Sequence, residues 1–203
     1  MSNFYHSNFA MQSIATVLLL CIVLISACSV FETRDPEDPG STTVPVFIPP
    51  LHPQNVIENL QNAMRTLNVD NYLKCLSNES FTYEPSIAAQ SNDPDTWQGW
   101  GFEEEKTYLN NMRSDAEGQG GHELKLENTS SAPIGEDAER FEANYTLTIE
   151  HNRQTTLPSQ ASGKIQLNLI RDEESGEWII QSWRDSSEGS DFTWSDFRAN
   201  FMF

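Results

Sequence analysis

Cys28 is the residue whose type and setting point most directly to chemistry. It follows Ile25-Ser26-Ala27, at the end of an apolar run over residues 14–27, and it precedes an abrupt change to acidic, proline-rich sequence. Small side chains next to a peptide bond leave that bond open to a peptidase, and the run is short for a membrane span. The other two cysteines are Cys21, inside the apolar run, and Cys75. If the chain is cut before Cys28 and that thiol is modified, Cys75 remains alone and no internal disulfide forms. Cys75 falls in an apolar helical pattern with no neighbouring base, which marks a buried, inert thiol.

Aliphatic-small-small-Cys resembles the lipobox of bacterial lipoproteins. The resemblance implies that residues 1–27 are a cleaved signal peptide, with Ile25, Ser26 and Ala27 at the cleavage site. It also implies that Cys28 is lipidated through a thioether, carries further acyl chains such as palmitate, and becomes the first mature residue. Two features depart from the pattern. Residues 1–16 carry no Lys or Arg, so translation starting at Met11 is an alternative to Met1, and Ile25 stands where Leu is commoner. An ordinary cleaved signal and an uncleaved anchor are the competing readings. All three export the rest of the chain.

Residues 1–27 contain no Asp, Glu, Lys or Arg, so the formal charge of −18 belongs entirely to residues 28–203. Such acidity repels nucleic-acid phosphates and anionic headgroups and argues against nucleic acid as a partner. Residues 29–53 contain six prolines with Gly, Ser and Thr among them, a composition that holds a domain away from a membrane and buries no core. The domain plan is therefore signal peptide 1–27, lipidated cysteine and flexible linker 28–52, and one domain over 53–203.

The domain opens with an amphipathic helix in which residues 56, 57, 60, 63, 64 and 67 share a face, stopped near Asn68. A short helix over 69–76, a strand over 81–84 and a polar loop come next. A third helix lies within 97–112, with Glu103, Glu104 and Glu105 in its first turn, where the helix dipole favours acid. Beyond the break at Gly118-Gln119-Gly120-Gly121, alternation takes over. Strands are expected at 123–127, from Arg140 to 150, at 163–170 and at 177–183. Phe141, Ala143, Tyr145, Leu147, Ile149, Ile165, Leu167 and Leu169 face inward, with Trp178 or Trp183 beside them. The aromatic tail 192–203 reads as a short helix.

Helices followed by a meander of antiparallel strands make an α+β plan. The order, together with Tyr72-Leu73-Lys74-Cys75-Leu76 before Phe81, Trp97 before a Glu-rich helix, and Trp178-Ile179-Ile180-Gln181-Ser182-Trp183 at the end of the sheet, resembles the nuclear transport factor 2-like superfamily. That cystatin-like cone fold is shared with ketosteroid isomerases and polyketide-cyclase-like proteins. The resemblance implies a curved sheet around a helix, enclosing an apolar pocket. In its enzymes a base and an oxyanion donor lie deep in the cone, and the counterparts here are Tyr83, His122, Asp185 and Tyr108. Each has a plainer reading. His122 is an exposed turn residue, Tyr83 is core with a bonded hydroxyl, and Asp185 pairs with Arg184 at the surface.

No metal motif is present, since the acidic turns at 172–174 and 185–191 lack the EF-hand alternation and no paired Cys or His-Glu-x-x-His occurs. No cofactor is expected. Asn78, Asn128 and Asn144 head glycosylation sequons, a chemistry usually absent from the bacterium that a lipobox implies. The leading reading is a non-catalytic, lipid-anchored envelope protein facing the periplasm, on the outer membrane where there is one. It binds a small apolar ligand or an envelope protein. The alternatives are a lyase, isomerase or hydrolase of the same fold, and an assembly subunit that dimerises through its sheet face.

Overall fold

A computed structural model describes residues 46–203, which lie in one compact unit. Cys28, the Ile25-Ser26-Ala27 cleavage site, both start codons and most of the linker lie outside the described residues.

Helix α1 (Pro53–Thr66) begins with proline at its first position, where the missing N–H costs nothing. It buries Val56, Ile57, Leu60, Ala63 and Met64, the face its spacing predicts. It ends at Leu67, in the left-handed region at φ 46°, held there by burial of its side chain. Asn68 then caps α2 (Val69–Leu73), its side-chain oxygen accepting from Asn71 N at 3.0 Å. After β1 (Thr82–Glu84) comes a short helix, α3 (Ile87–Asn92), in the segment expected to be a polar loop. Ser86 explains it, since its hydroxyl accepts from Ala89 N and caps the turn. Helix α4 (Phe102–Asp115) carries the three glutamates in its first turn. Glu104 reaches back to accept from Gly101 N at 3.0 Å.

Strands β2 (Glu123–Gly135), β3 (Ala138–Thr148), β4 (Gln160–Arg171) and β5 (Trp178–Ser186) form an antiparallel meander. The first strand, β1, adds to it parallel to β5, giving the order β1-β5-β4-β3-β2. Helix α5 (Trp194–Phe201) closes the chain. The fold is α+β, with the helices packed against the inner face of a curved five-stranded sheet. Every inward residue expected on β3 and β4 is buried. Strand β2 runs past Glu127 to Gly135 across a bulge at Asn128, whose φ is 50°. A second bulge skips Gln181, pairing Asn168 with Ser182 and Leu169 with Ile180, so that Ile180 and Trp183 both point inward despite their odd spacing. Gly163 has a packing reason. A Cβ there would collide with Ser186 O and press on the Tyr145 ring.

The linker's last residues are part of this packing. Ile48 N donates to Asn59 Oδ1 at 2.8 Å, Asn59 Nδ2 returns a bond to Ile48 O at 2.6 Å, and Trp178 N donates to Pro50 O. The chain is thus strapped to α1 and β5 before α1 begins. Among the described residues, no helix is long and apolar enough to cross a membrane.

Candidate functional site

The polar groups of this domain converge inside it. Two apolar stripes each carry one charged residue. On α4, Glu105 is in helical phase with Tyr108, Leu109 and Met112. On α5, Arg198 is in phase with Trp194, Phe197 and Phe201. Packing α5 against α4 brings the two charges together with both side chains fully buried. Arg198 Nε donates to Glu105 Oε1 at 2.7 Å and Nη2 donates to Oε2 at 3.2 Å, a fork-on-fork geometry. Tyr72 Oη donates to Oε2 at 2.6 Å and Trp100 Nε1 to Oε1 at 2.8 Å, so both carboxylate oxygens are fully engaged. The guanidinium carbon lies 4.1 Å from the Tyr83 ring centre, 4.5 Å from that of Trp183 and 5.1 Å from that of Trp194. Negative ring faces replace water around the cation. Burial alone would lower the Arg198 pKa, but Glu105 and the surrounding tyrosine hydroxyls hold it above its ordinary value.

A second network joins β3, β5 and the start of α5. Asp185 Oδ2 accepts from Ser195 N at 2.8 Å and from Ser195 Oγ at 2.6 Å, while Oδ1 accepts from Tyr145 Oη at 2.9 Å. Tyr145 Oη in turn accepts from Trp194 N at 2.6 Å. Burial raises the Asp185 pKa, against the lowering effect of Ser195 and Tyr145. Burial also raises the phenols, with Tyr108 pushed up to about 12 and Tyr72, Tyr83 and Tyr145 raised as well. None of these hydroxyls ionises near neutrality.

The expected site residues divide cleanly. Tyr83 and Asp185 meet, with Tyr83 Oη 2.7 Å from Ser195 Oγ and 3.4 Å from Asp185 Oδ2, and Tyr108 lies nearby as acceptor for Trp194 Nε1. Tyr83 is core with a bonded hydroxyl, as its plainer reading had it. Asp185 corrects the surface ion-pair expectation. Strand alternation turns Arg184 outward to Glu84 Oε2 at 2.8 Å and leaves Asp185 buried. His122 belongs to neither network. It lies beyond the end of α4, largely buried rather than exposed, with Nδ1 accepting from Glu150 N at 3.2 Å. Cys75 is buried, and burial pushes its thiol pKa up. As site residues, Glu105, Arg198, Tyr72, Tyr145 and Ser195 escaped the sequence reading, which had Tyr145 only as an inward-facing strand residue and Glu105 only in a helix's first turn. The available signal was a charge at an apolar-face position of α4 and another of α5.

Chemically, this arrangement consumes most of its own functional groups, leaving Arg198 Nη1 and Trp183 Nε1 as buried polar atoms without a hydrogen-bond partner among the described residues. The Glu105 carboxylate is committed to four donors and Asp185 to a helix start, while α5 packs its Trp194, Phe197 and Phe201 into the interior. The apolar pocket implied by the superfamily resemblance is filled here by Trp183, Trp194, Phe197 and Arg198, all nearly or fully inaccessible.

No protein-family model matches this sequence, and none of the curated proteins does. Among solved structures, it is similar to a proposed aromatic ring hydroxylase from Novosphingobium aromaticivorans, at 13% identity and a TM-score of 0.49, over 66% of this chain and 85% of that one. A nuclear transport factor 2-like protein of unknown function from Pseudomonas putida matches at 11% identity and 0.48, over 66% and 82%. A protein of unknown function with a cystatin-like fold from Nostoc punctiforme matches at 14% and 0.46, over 68% and 89%. Likeness at this level concerns the path of the chain and says nothing of activity.

Proposed function

We propose that this chain is a lipid-anchored protein of the cell envelope, exported by residues 1–27, held at a membrane through Cys28, and acting by contact rather than catalysis. The observation that supports the contact role is the filled interior. Every titratable group inside the cone is bonded to another part of the same chain, and α5 seals it. The surface open to a partner is the outer sheet face. There Lys164 pairs with Glu142 at 2.8 Å, Arg140 donates to Asn168, and Asn168 to Ser182, forming a polar ladder beside the Arg184–Glu84 pair. In this reading, that ladder meets an envelope protein or a second copy.

Site-specific photo-crosslinking in intact cells tests the contact role. A crosslinker at Gln166 or Ser182 should capture a discrete protein adduct, and one at Glu58 or Glu103 on the helical side should not. Adducts from the helical side alone would overturn this reading. Small-molecule turnover that disappears in Glu105→Gln, in a protein of unchanged stability, would overturn it as well.

A further inference from the structure

Two histidines hold one turn, and both must be neutral to do so. Residues 150–158 leave β3 and double back to β4 at the end of the domain where α4 and α5 finish. His151 Nε2 lies 3.1 Å from Pro158 O, an obligate acceptor, so Nε2 carries the proton. Its Nδ1 is then free to accept from Arg153 N at 3.1 Å. His122 supplies the same kind of acceptor, its Nδ1 taking Glu150 N. An imidazolium has no lone pair, so protonating either ring sets N–H against N–H.

The turn in its own right grips α5. Arg153 Nη2 donates to Asn200 O at 3.0 Å, its guanidinium lies 4.2 Å over the Phe201 ring, and His151 packs edge-on against Phe197 and Phe201. Asn152 ties the turn to α4 through two bonds to Asp115 O. We propose that residues 150–158 form a proton-sensitive clasp on the C-terminal helix, pinned by the ring acceptors of His122 and His151 and opened when His122 takes a proton.

The charged groups facing His122 do not rescue the protonated clasp. Around His122 stand Glu150, the adjoining Glu123, and Arg113 and Glu117 from the end of α4. Of these, Glu150 is engaged by Gln154 Nε2 at 2.7 Å. His151 faces Asp115 Oδ2 at 4.0 Å, an oxygen that also accepts from Arg153 Nε at 3.3 Å, and its ring packs on Phe197 and Phe201 of α5, so the response to acid is carried by His122. Burial lowers the His122 pKa, and Glu150 together with a backbone bond to Gln119 offsets this only in part. A proton therefore binds His122 more readily in the opened turn than in the closed one, and acid favours opening.

Hydrogen exchange of the full chain at about pH 7.5 and about pH 5, corrected for intrinsic rates, reads the clasp directly. Protection over residues 150–158 and 196–203 should fall about tenfold or more at the lower pH, with residues 141–147 unchanged. His122→Asn with His151→Asn keeps an acceptor near each Nδ1 position without a titrating ring, and it should abolish the fall. Equal protection at both pH values, or a fall that survives in the double variant, overturns the proposal. If the double variant does not fold, imidazole NMR of the wild type decides. Ring protonation must coincide with loss of protection, and either event without the other refutes the clasp.

Discussion

A lone charge in a closed interior is costly, and the two halves of the Arg198–Glu105 pair protect each other from that state. Arg198→Ala should destabilise the domain by about 3–5 kcal/mol in urea unfolding, because Glu105 is left buried without a counter-charge. Adding Glu105→Leu to Arg198→Met should recover most of the loss, since a buried pair replaced by apolar groups of similar volume is often neutral. If the double variant is as weak as the single, the rings around Arg198 rather than the pair carry the energy. Asp185 yields a pH prediction of definite sign. Its folded pKa is raised, so above its unfolded value, near 4, the folded state must carry a charge that burial disfavours. The stability advantage of wild type over Asp185→Asn should therefore be largest in acid and shrink as pH rises toward neutrality. A gap that widens with pH would show that the Ser195 and Tyr145 hydrogen bonds outweigh desolvation.

Among the elements, Gly163 and the Gln181 bulge set the register that places Tyr145, Trp183 and Asp185 inside. Gly163→Ala should cost about 1–3 kcal/mol through overpacking against Ser186 O and Tyr145. Thermal melting of the variant checks this, and an unchanged midpoint would mean that β5 yields freely there. These positions also show why the reading from residues reached only so far. Period-2 alternation on β3 and β4 is a strong local signal, so their inward faces were legible residue by residue. The bulge was not, because skipping one residue depends on the partner strand. Alternation alone therefore left Trp178 and Trp183 equally eligible. Helix α3 was hidden for a different reason, its sequence being polar and its start set by a single serine cap. The interior site was half legible. Glu105 and Arg198 each interrupt an apolar stripe, but nothing local says that two interruptions 93 positions apart will meet. The tail was readable as a helix but not as the element that fills the cone.

At the scale of the whole molecule, the anchor and the domain make separable predictions. Cys28→Ala should move the protein from the membrane fraction to the soluble fraction, with intact mass of the wild type showing two or more acyl chains, because a single chain binds only marginally. A variant that stays membrane-bound would exclude lipidation as the attachment. Limited proteolysis should leave a core beginning near Ile48, which Asn59 clamps from both sides, rather than at the start of α1. The position of α5 in the chain has a consequence for biogenesis. Arg198, the counter-charge of Glu105, and Ser195, which caps Asp185, both follow the last strand, so a growing chain can complete the sheet while each acid still lacks its α5 partner. Synthesis of α5, not completion of the sheet, is the event that lets this interior dry out. A nonsense codon anywhere between Ser186 and Trp194 would discard the keystone while sparing every strand.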